Sequence, residues 1–576
     1  MCFIHQKRVC PNCGLENDTS PCIRCGTVLP PQKNRTMFII IAVVLVLLAV
    51  FSLVFTLLRS LPPPVTTPTP TPSPSVTASI NNGIGVKQVN GEDIGISDGS
   101  ATFYTNPDDV EQKKLAADYM KNGDVPRAIQ QWQAASKSAT NDAEPHIYLE
   151  DQTVLESYKL HHTPYITIVI GVMFSPKAVD GFSNDFLQAA YVAQKECNDN
   201  RLHLIDANNT PLCPSGGKML RLLIANSGSD PSESTEVAKQ IVQAAKADST
   251  IVGVLGWPTS ETTLKVIPIL QPMHLPIITA SNASDELDRE TDFFRTGSPV
   301  SDQMSLIDFY ISKKLNPQNM VIFYHRGDTS YSGELASSVY RQFPHSTQPI
   351  AYDALNSHDP QATAEQIGNA DVVFMATNAV EDLKTLLTVD IPKDTHLNPD
   401  LKVFTGGTGY ELVEAGLSNP PNYKRVSFCT PTFPDIWGQL GSGNQPDFLG
   451  DQGDYAKTYD PSQQHKGQYT FSRPNSTTML AYDDMLVLLA GSADEQAKGK
   501  QNFTPADLQG SLEQINDQHP LQGISGRIEF DGYGNPKTKT NLILSVNPNN
   551  SLHLMAHDGC FLINIKDCNH LPVLDQ

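Results

Sequence analysis

Hydrophobic residues follow two alternating patterns along most of this chain. Continuous apolar runs such as YITIVIGVMF, MLRLLIANS, STIVGVLGW and LPIITAS alternate with segments of helical period such as NDFLQAAYVAQKECND and ESTEVAKQIVQAAKAD. The alternation continues through MVIFYHR, GELASSVYRQF, ADVVFMAT, VEDLKTLL and LKVFTGG. Apolar strands separated by helices indicate mostly parallel sheets covered on both faces. Because roughly 400 residues of this pattern exceed the usual size of one domain, we predict an α/β fold with two lobes.

A different apolar segment lies near the N-terminus. Residues 37–58, MFIIIAVVLVLLAVFSLVFTLL, contain two polar residues, and 22 helical residues span roughly 33 Å, which is enough to cross a bilayer. We therefore predict an uncleaved transmembrane helix. Lys33 and Arg35 precede it and only Arg59 follows, so the positive-inside rule places the N-terminus in the cytoplasm. The predicted localisation is a single-pass protein of the cell membrane with a large extracellular C-terminal domain.

Four cysteines before this segment have the spacing of a metal site. They form two CxxC pairs separated by eight residues: Cys10, Cys13, Cys22 and Cys25. Four thiolates suit a tetrahedral, structural Zn²⁺ site, whereas two disulfides would be disfavoured in a reducing cytoplasm. Residues 1–35 are therefore predicted to be a cytoplasmic zinc ribbon.

Two shorter regions connect the apolar segment to the α/β region. Residues 59–79 include LPPPVTTPTPTPSPSV, which predicts a semi-rigid stalk. Residues 80–160 are predicted to hold short strands and a helical hairpin. Its string GDVPRAIQQWQAA resembles a tetratricopeptide repeat at Gly123, Ala128, Trp132 and Pro145. One repeat cannot form a solenoid, so we interpret it as a hairpin that packs on its neighbour, with a peptide-binding groove as the less favoured alternative.

Composition narrows the classes of function. The chain has 39% hydrophobic and 18% charged residues and a formal charge of −21. An acidic chain is not expected to bind nucleic acid through a broad basic surface. The sequence contains no GxSxG, HExxH or Walker phosphate loop, so we do not expect an enzyme.

The order of several short motifs resembles a known family. These are DPSESTEVAKQIVQ, IVGVLGWPTSETT, PILQPMHLPIITASNASDEL, FFRTGSPVSDQ, GDTSYSGELA, FTGGTGYEL, AYDDMLVLL and GISGRIEFDGYGNP. In this order they resemble type I periplasmic binding proteins, the branch that includes the leucine-binding receptors of ABC transporters. The resemblance covers Pro164 to Ile565, within a predicted ligand-binding domain of residues 164–576. It implies two lobes, joined by three crossovers, that close over a small ligand.

The resemblance gives two alternative functions. The favoured one is a membrane-anchored extracellular receptor that binds an amino-acid-like ligand in the interlobe cleft and delivers it to an ABC permease. The alternative is a transmembrane sensor that reports lobe closure to a cytoplasmic partner through the zinc ribbon.

Two predicted loops of the first lobe supply candidate ligand contacts. They follow successive strands, and helices begin after them, so hydroxyls and amides there suit a carboxylate. The candidates are Trp257, Thr259, Ser260, Ser281, Asn282 and Ser284. The alternatives are that the hydroxyls cap the helices and that Trp257 packs in the core.

The second lobe supplies three further candidates. Tyr331 stands where the family has a ligand-contacting aromatic residue, with packing on its own helix as the alternative. Amino-acid receptors of the family usually carry a Glu where Thr408 stands, and that carboxylate pairs with the ligand's ammonium. Glu411 lies three residues further on. The resemblance therefore leaves the recognition of the ammonium open.

Five cysteines remain in the predicted extracellular part. An oxidising exterior favours disulfides, and we predict the pairs Cys197–Cys213 and Cys560–Cys568. Cys429 is left single in an apolar context that predicts burial.

Overall fold

The computed structural model describes 8–9, 16–17 and 80–574, apart from 176–180, 206–209, 214–215, 354–358, 389–396, 415–421, 442–444, 548–550 and 565–571. The chain divides into two compact units, Met1–Val76 and Thr77–Gln576. In the first unit, strands β1 (Arg8–Val9) and β2 (Glu16–Asn17) pair antiparallel. The four cysteines of the predicted zinc ribbon and the stalk at 59–79 lie outside the described residues.

The predicted single-pass localisation is contradicted. Among the helices that the structure describes, none is both long enough and apolar enough to cross a membrane. Residues 37–58, the segment on which that prediction rested, lie outside the described part of the chain.

Two sheets form the framework of the second unit. The strands are β3 Gly85–Val89, β4 Glu92–Ser97, β5 Tyr165–Val172, β6 Met219–Asn226, β7 Ile251–Leu255, β8 Ile277–Thr279, β9 Phe293–Arg295, β10 Met320–His325, β11 Ile350–Tyr352, β12 Val372–Ala376, β13 Lys402–Thr405, β14 Val426–Thr430, β15 Leu521–Gly523, β16 Gly526–Ile528, β17 Leu542–Val546, β18 Leu552–His557 and β19 Val573–Leu574. The first sheet has the order β3-β4-β6-β5-β7-β8-β9, and the second has the order β11-β10-β12-β13-β14-β17-β18-β19. β5 to β9 and β10 to β14 are parallel, as their continuous apolar runs predict.

Helices cover both sheets. They are α1 Val110–Lys121, α2 Val125–Ser138, α3 Ala143–His161, α4 Gly181–Asn198, α5 Ser234–Ala247, α6 Ser260–Leu270, α7 Val300–Tyr310, α8 Ser332–Gln342, α9 Pro360–Ile367, α10 Val380–Leu387, α11 Glu411–Glu414, α12 Ile436–Gln439, α13 Asp454–Tyr459, α14 Ser476–Ala497 and α15 Pro505–Leu512. The chain passes between the lobes after β9, between β14 and α14, and between β16 and β17. The predicted two-lobed α/β architecture with three crossovers is therefore present.

The segment at 80–160 is built into the first lobe. β4 pairs antiparallel with β6, so the β3–β4 hairpin extends the first sheet. Helix α3 leads directly into β5, and its Asp151 accepts hydrogen bonds from the Leu222 amide at 2.9 Å and from Gln194 Nε2 at 2.7 Å. Three helices stand where the sequence predicted a hairpin, and they pack on their neighbour.

A buried charge cluster holds these helices together. Lys113 Nζ lies 2.5 Å from Asp142 Oδ2 and 3.0 Å from Glu144 Oε2, and these side chains are at most 1% exposed. Glu144 also accepts hydrogen bonds from the backbone amides of Phe103 and Tyr104. The Lys113 ammonium therefore balances the negative charge of carboxylates that are buried away from solvent.

The cysteines agree with the predicted pattern where they are described. Cys197 and Cys213 form a disulfide with a Cα–Cα distance of 5.1 Å, which confirms that pair. Cys560 is disulfide-bonded, but its predicted partner Cys568 lies outside the described residues. Cys429 is buried and carries a free thiol, as predicted.

Candidate ligand-binding site

A cleft of about 330 Å³ lies where the two lobes face each other. The first lobe contributes the loops that follow β7 and β8, and the second lobe contributes the segments that follow β10, β12 and β13. Residues that follow β5 and β6 and residues of the crossovers after β9 and β14 also line it. Ligands of open α/β sheets bind at such carboxyl ends of strands, so the cleft is the candidate functional site.

The loop after β7 presents one available hydroxyl. Thr259 caps helix α6, because its Oγ1 accepts the Thr262 amide at 3.4 Å. Ser260 Oγ accepts the Ser284 amide at 3.3 Å and donates to no acceptor within the described part of the chain. Both residues line the cleft at the N-terminus of α6, where the helix dipole favours an anion. The capping alternative therefore holds for Thr259, whereas Ser260 retains a hydrogen for a ligand.

The loop after β8 presents acceptors. Ser281 Oγ donates to the Pro258 carbonyl at 2.7 Å, so its oxygen remains only as an acceptor. Asn282 Nδ2 donates to Thr263 Oγ1 at 2.6 Å, and its Oδ1 is buried without a hydrogen-bond partner among the residues with assigned positions. Ser281 and Asn282 both line the cleft.

Two predicted contacts lie outside the cleft lining. Trp257 is fully buried, its Nε1 donates to Ser227 Oγ at 3.1 Å, and a Cβ at Gly171 would lie 2.5 Å from its ring. The packing alternative therefore describes Trp257. Ser284 Oγ accepts the Glu286 amide at 3.2 Å and caps a short 3₁₀ turn.

Tyr331 lines the second-lobe wall at the start of α8. Its amide donates to Asp328 Oδ1 at 3.0 Å, and the Asp328 carboxylate also accepts the amides of Ser330 and Ser332. Burial raises the pKa of the Tyr331 phenol, so it stays protonated. A Cβ atom at position 406 would lie 2.2 Å from the Tyr331 hydroxyl, which explains why Gly406 has no side chain.

The segment after β13 carries the main departure from the expected site. Thr408 lines the cleft, but its hydroxyl donates to the Thr377 carbonyl at 2.6 Å and braces the backbone. Glu411 and Glu414, at the two ends of α11, also line the cleft. Burial raises the pKa of Glu414 to about 7. Sequence reasoning missed Glu414, although its spacing of three from Glu411 places both on one face of a helix.

Several other lining residues were also missed. His325 Nδ1 lies 2.7 Å from Asp382 Oδ2, and this hydrogen bond raises the pKa of the imidazole. Tyr410 donates its hydroxyl to Tyr469 at 3.1 Å, and Phe182 adds a third aromatic side chain to those of Tyr331 and Tyr410. Tyr410 lies within the motif FTGGTGYEL, whereas His325 and Phe182 belong to none of the family motifs quoted above.

One carboxylate joins the two lobes beside the cleft. Glu334 of α8 accepts the Ser284 hydroxyl at 2.9 Å and the Asp285 amide at 3.2 Å. Burial, and then the nearby charge of Asp285, raise the pKa of Glu334 to about 7. Ser284 therefore contacts the opposite lobe and not the cleft.

The fold is similar to those of solved binding proteins. The branched-chain amino acid transporter substrate-binding protein LivJ from Streptococcus pneumoniae, in complex with isoleucine, is 16% identical and has a TM-score of 0.53 over 68% of this chain and 99% of its own. The leucine-binding protein LivK from Thermotoga maritima is 16% identical, with a TM-score of 0.51 over 68% and 98% of the two chains. A solute-binding protein of an ABC transporter from R. palustris, in complex with benzoate, is 14% identical, with a TM-score of 0.50 over 72% and 98%. At these identities the likeness concerns the fold.

Sequence comparison identifies the family. No curated protein sequence matches the chain. The family model described as periplasmic binding protein matches residues 169–539, which is more than half of the chain and includes most of both lobes and every residue of the cleft lining. The chain therefore belongs to the periplasmic binding protein family.

Proposed function

We propose that the protein is a solute-binding protein that holds a small, amino-acid-like ligand in the interlobe cleft and delivers it to an ABC permease. The observation that carries this proposal is the cleft itself, which both lobes line. Its volume of about 330 Å³ is at the lower end of the range of about 300–1,000 Å³ for ligand pockets. A ligand of the size of an amino acid suits it better than a peptide.

The first-lobe wall suits the carboxylate of such a ligand. The N-terminus of α6 supplies partial positive charge, and the Ser260 hydroxyl supplies a donor. Isoleucine and benzoate, found in two of the similar structures, both carry a carboxylate. The proposed subsite therefore consists of Ser260 and the first amides of α6.

Thermal unfolding of the full chain with candidate ligands tests the binding. A ligand that binds only the folded state stabilises it by about 2.7 kcal/mol at a hundredfold excess over Kd. We expect carboxylates with an amino group to raise the melting temperature and neutral sugars to leave it unchanged. The absence of a shift with every carboxylate at millimolar concentration would refute the proposal.

A matched pair of serine variants tests the subsite. A hydrogen bond to a charged group contributes about 1.5–3 kcal/mol, so Ser260→Ala should weaken binding about 10- to 150-fold. Ser136→Ala is the control, because Ser136 is a partly exposed residue of α2 whose hydroxyl donates a hydrogen bond within its own helix. Equal affinities of the two variants would exclude Ser260 from the site.

Delivery to a permease is tested by uptake. Cells that lack this chain should lose uptake of the radiolabelled ligand found by thermal unfolding. Wild-type chain should restore uptake, and Ser260→Ala should restore it only at higher ligand concentration. Undiminished uptake in the cells that lack the chain would contradict delivery to a permease, while the proposal of ligand binding would stand.

A further inference from the structure

The contact that Glu334 makes between the lobes lies outside the cleft lining. Its carboxylate, on α8 of the second lobe, accepts the Ser284 hydroxyl at 2.9 Å. It also accepts the Asp285 amide, which lies 3.2 Å from each of its two oxygens. None of these three residues is among the described residues that line the cleft. Glu334 therefore joins the lobes without reaching the space that a ligand would occupy.

Each side of the Glu334 contact is close in sequence to a wall of the cleft. On the second lobe, Tyr331 lines the cleft, and Glu334 follows three residues later in the first turn of α8. On the first lobe, Asn282 lines the cleft, and Ser284 follows two residues later. A movement that brings the two walls together around a ligand therefore also brings the Glu334 carboxylate to its donors.

The donors on the first lobe are held in place from behind. The guanidinium of Arg295 is buried, and it donates to the Asn282 carbonyl at 3.0 Å and to the Ser284 carbonyl at 2.8 Å. Its Nε donates to Asn535 Oδ1 at 3.0 Å, in the segment between β16 and β17. Because the loop is already fixed, formation of the Glu334 contact requires little further ordering of the chain.

We propose that Glu334 is a positioning residue that holds the two lobes closed and thereby slows the release of a ligand that it does not touch. A hydrogen bond to a charged group is strong enough for its loss to favour the open form about tenfold. A ligand leaves through opened lobes, so its dissociation rate should rise by the same factor, while its association rate should not. The effect on ligand release rests on the proposed function, whereas the contact between the lobes does not.

Hydrogen exchange of the ligand-free full chain tests the contact. The Asp285 amide donates to Glu334, so it exchanges slowly while the lobes are joined. We expect Glu334→Ala to accelerate exchange about tenfold in the peptide that contains Asp285. Glu334→Gln retains an acceptor oxygen and should exchange as the wild type does. Unchanged exchange in Glu334→Ala would overturn the proposal, whatever the protein binds.

Variants on the two lobes provide the controls. Glu381→Ala is the matched control, because Glu381 is an exposed residue of α10 paired with Lys384. Ser284→Ala removes a donor from the opposite lobe and replaces Glu334→Ala as the test if that variant does not fold. Because both substitutions remove the same hydrogen bond, the double variant should exchange no faster than Glu334→Ala alone. Additive effects would show that Glu334 and Ser284 act separately.

Binding kinetics with leucine as the probe test the retention of ligand. We expect Glu334→Ala to raise the dissociation rate constant about tenfold and to leave the association rate constant within about twofold of the wild type. Glu334→Gln should restore slow dissociation. Accelerated exchange with an unchanged dissociation rate would limit Glu334 to a structural role and refute its role in retention. If leucine does not bind the wild type, that result counts against the proposed function, and hydrogen exchange still decides the contact.

Discussion

Replacing Lys113 by Met should destabilise the protein strongly, and the loss should grow with pH. The Lys113 ammonium lies among Asp109, Asp142 and Glu144, and removing it leaves carboxylates that are fully buried. Removing one partner of a buried ion pair typically costs about 3–5 kcal/mol of the free energy of unfolding. The neighbouring Lys114, whose side chain is 64% exposed, provides a control on the same helix.

The pH dependence follows from the ionisation of the cluster. In the wild type, burial lowers the pKa of Lys113, but the carboxylates outweigh burial and raise it above its ordinary value, so its contribution is fully present below about pH 10. In folded Lys113→Met, the buried carboxyl groups have no ammonium beside them and must be protonated. In the unfolded chain the same groups ionise above about pH 4. Each proton held only by the folded state lowers the free energy of unfolding by about 1.4 kcal/mol per pH unit. Between pH 5.5 and 7.5 that amounts to about 2.7 kcal/mol for each carboxyl that is ionised in the folded wild type and protonated in folded Lys113→Met. Burial raises the pKa of Asp109 to about 8 already in the wild type, so Asp109 adds little to this difference.

Urea unfolding at these two pH values measures both effects. We expect Lys113→Met to lose several kcal/mol at pH 7.5 and distinctly less at pH 5.5, relative to the wild type at the same pH. Lys114→Met should remain within about 0.5 kcal/mol at both. If Lys113→Met behaves as Lys114→Met does, or if its loss is the same at both pH values, the Lys113 ammonium does not compensate the buried carboxylates.

Three further predictions concern the disulfide, the predicted metal and the cleft. Changing Cys197 and Cys213 together to Ala should lower the free energy of unfolding by about 3 kcal/mol, because the pair closes a loop with a sequence separation of 16, and unchanged urea curves would contradict this. Metal analysis of the full chain should find one Zn²⁺ per chain, and Cys10→Ser should lose it; a metal-free wild type would refute the ribbon. The affinity for an amino acid found by thermal unfolding should rise between pH 6 and 8, because burial raises the pKa of Glu414 to about 7 and an ammonium group binds the ionised form, while protonated His325 opposes binding at the acid end. Calorimetry at both pH values should show this rise in the wild type and a smaller one in Glu414→Gln.

Burial on both faces explains why the sheets were predictable. Strand β5 is buried from Ile166 to Val172, so its positions are apolar or small whichever way they point, apart from Thr167, whose hydroxyl is hydrogen-bonded to Thr250. The resulting run can be recognised without knowledge of its partners, and so can the alternation with helices that indicates two parallel sheets. The segment at 80–160 was harder, because its place in the first lobe depends on long-range partners such as β6 for β4.

The roles of individual side chains in the site were less predictable, because a hydroxyl in these loops can cap a helix, contact a ligand or bond the other lobe. Thr259, Ser260 and Ser284 look equivalent in the sequence, yet their hydroxyls have different roles. Thr259 caps a helix, Ser260 lines the cleft with a hydrogen that it donates to no described acceptor, and Ser284 donates to Glu334 of the other lobe. The sequence pattern does not contain the direction of each side chain, which the backbone of the whole lobe sets. The absence of a carboxylate at Thr408 was visible, but the presence of Glu414 in the cleft lining could be seen only from the path of α11.

The hydrogen bonds around Ser284 suggest how ligand at one lobe is communicated to the other. Ser260 Oγ, the proposed carboxylate donor, accepts the Ser284 amide, and Ser284 Oγ donates to Glu334 of the second lobe. A hydroxyl that donates to an anion becomes a better acceptor, so a bound carboxylate should strengthen the Ser260–Ser284 hydrogen bond. It should thereby hold the Ser284–Asp285 segment, from which Glu334 receives both of its interlobe hydrogen bonds. The carboxylate of the proposed ligand would then act on lobe closure through the backbone of one loop.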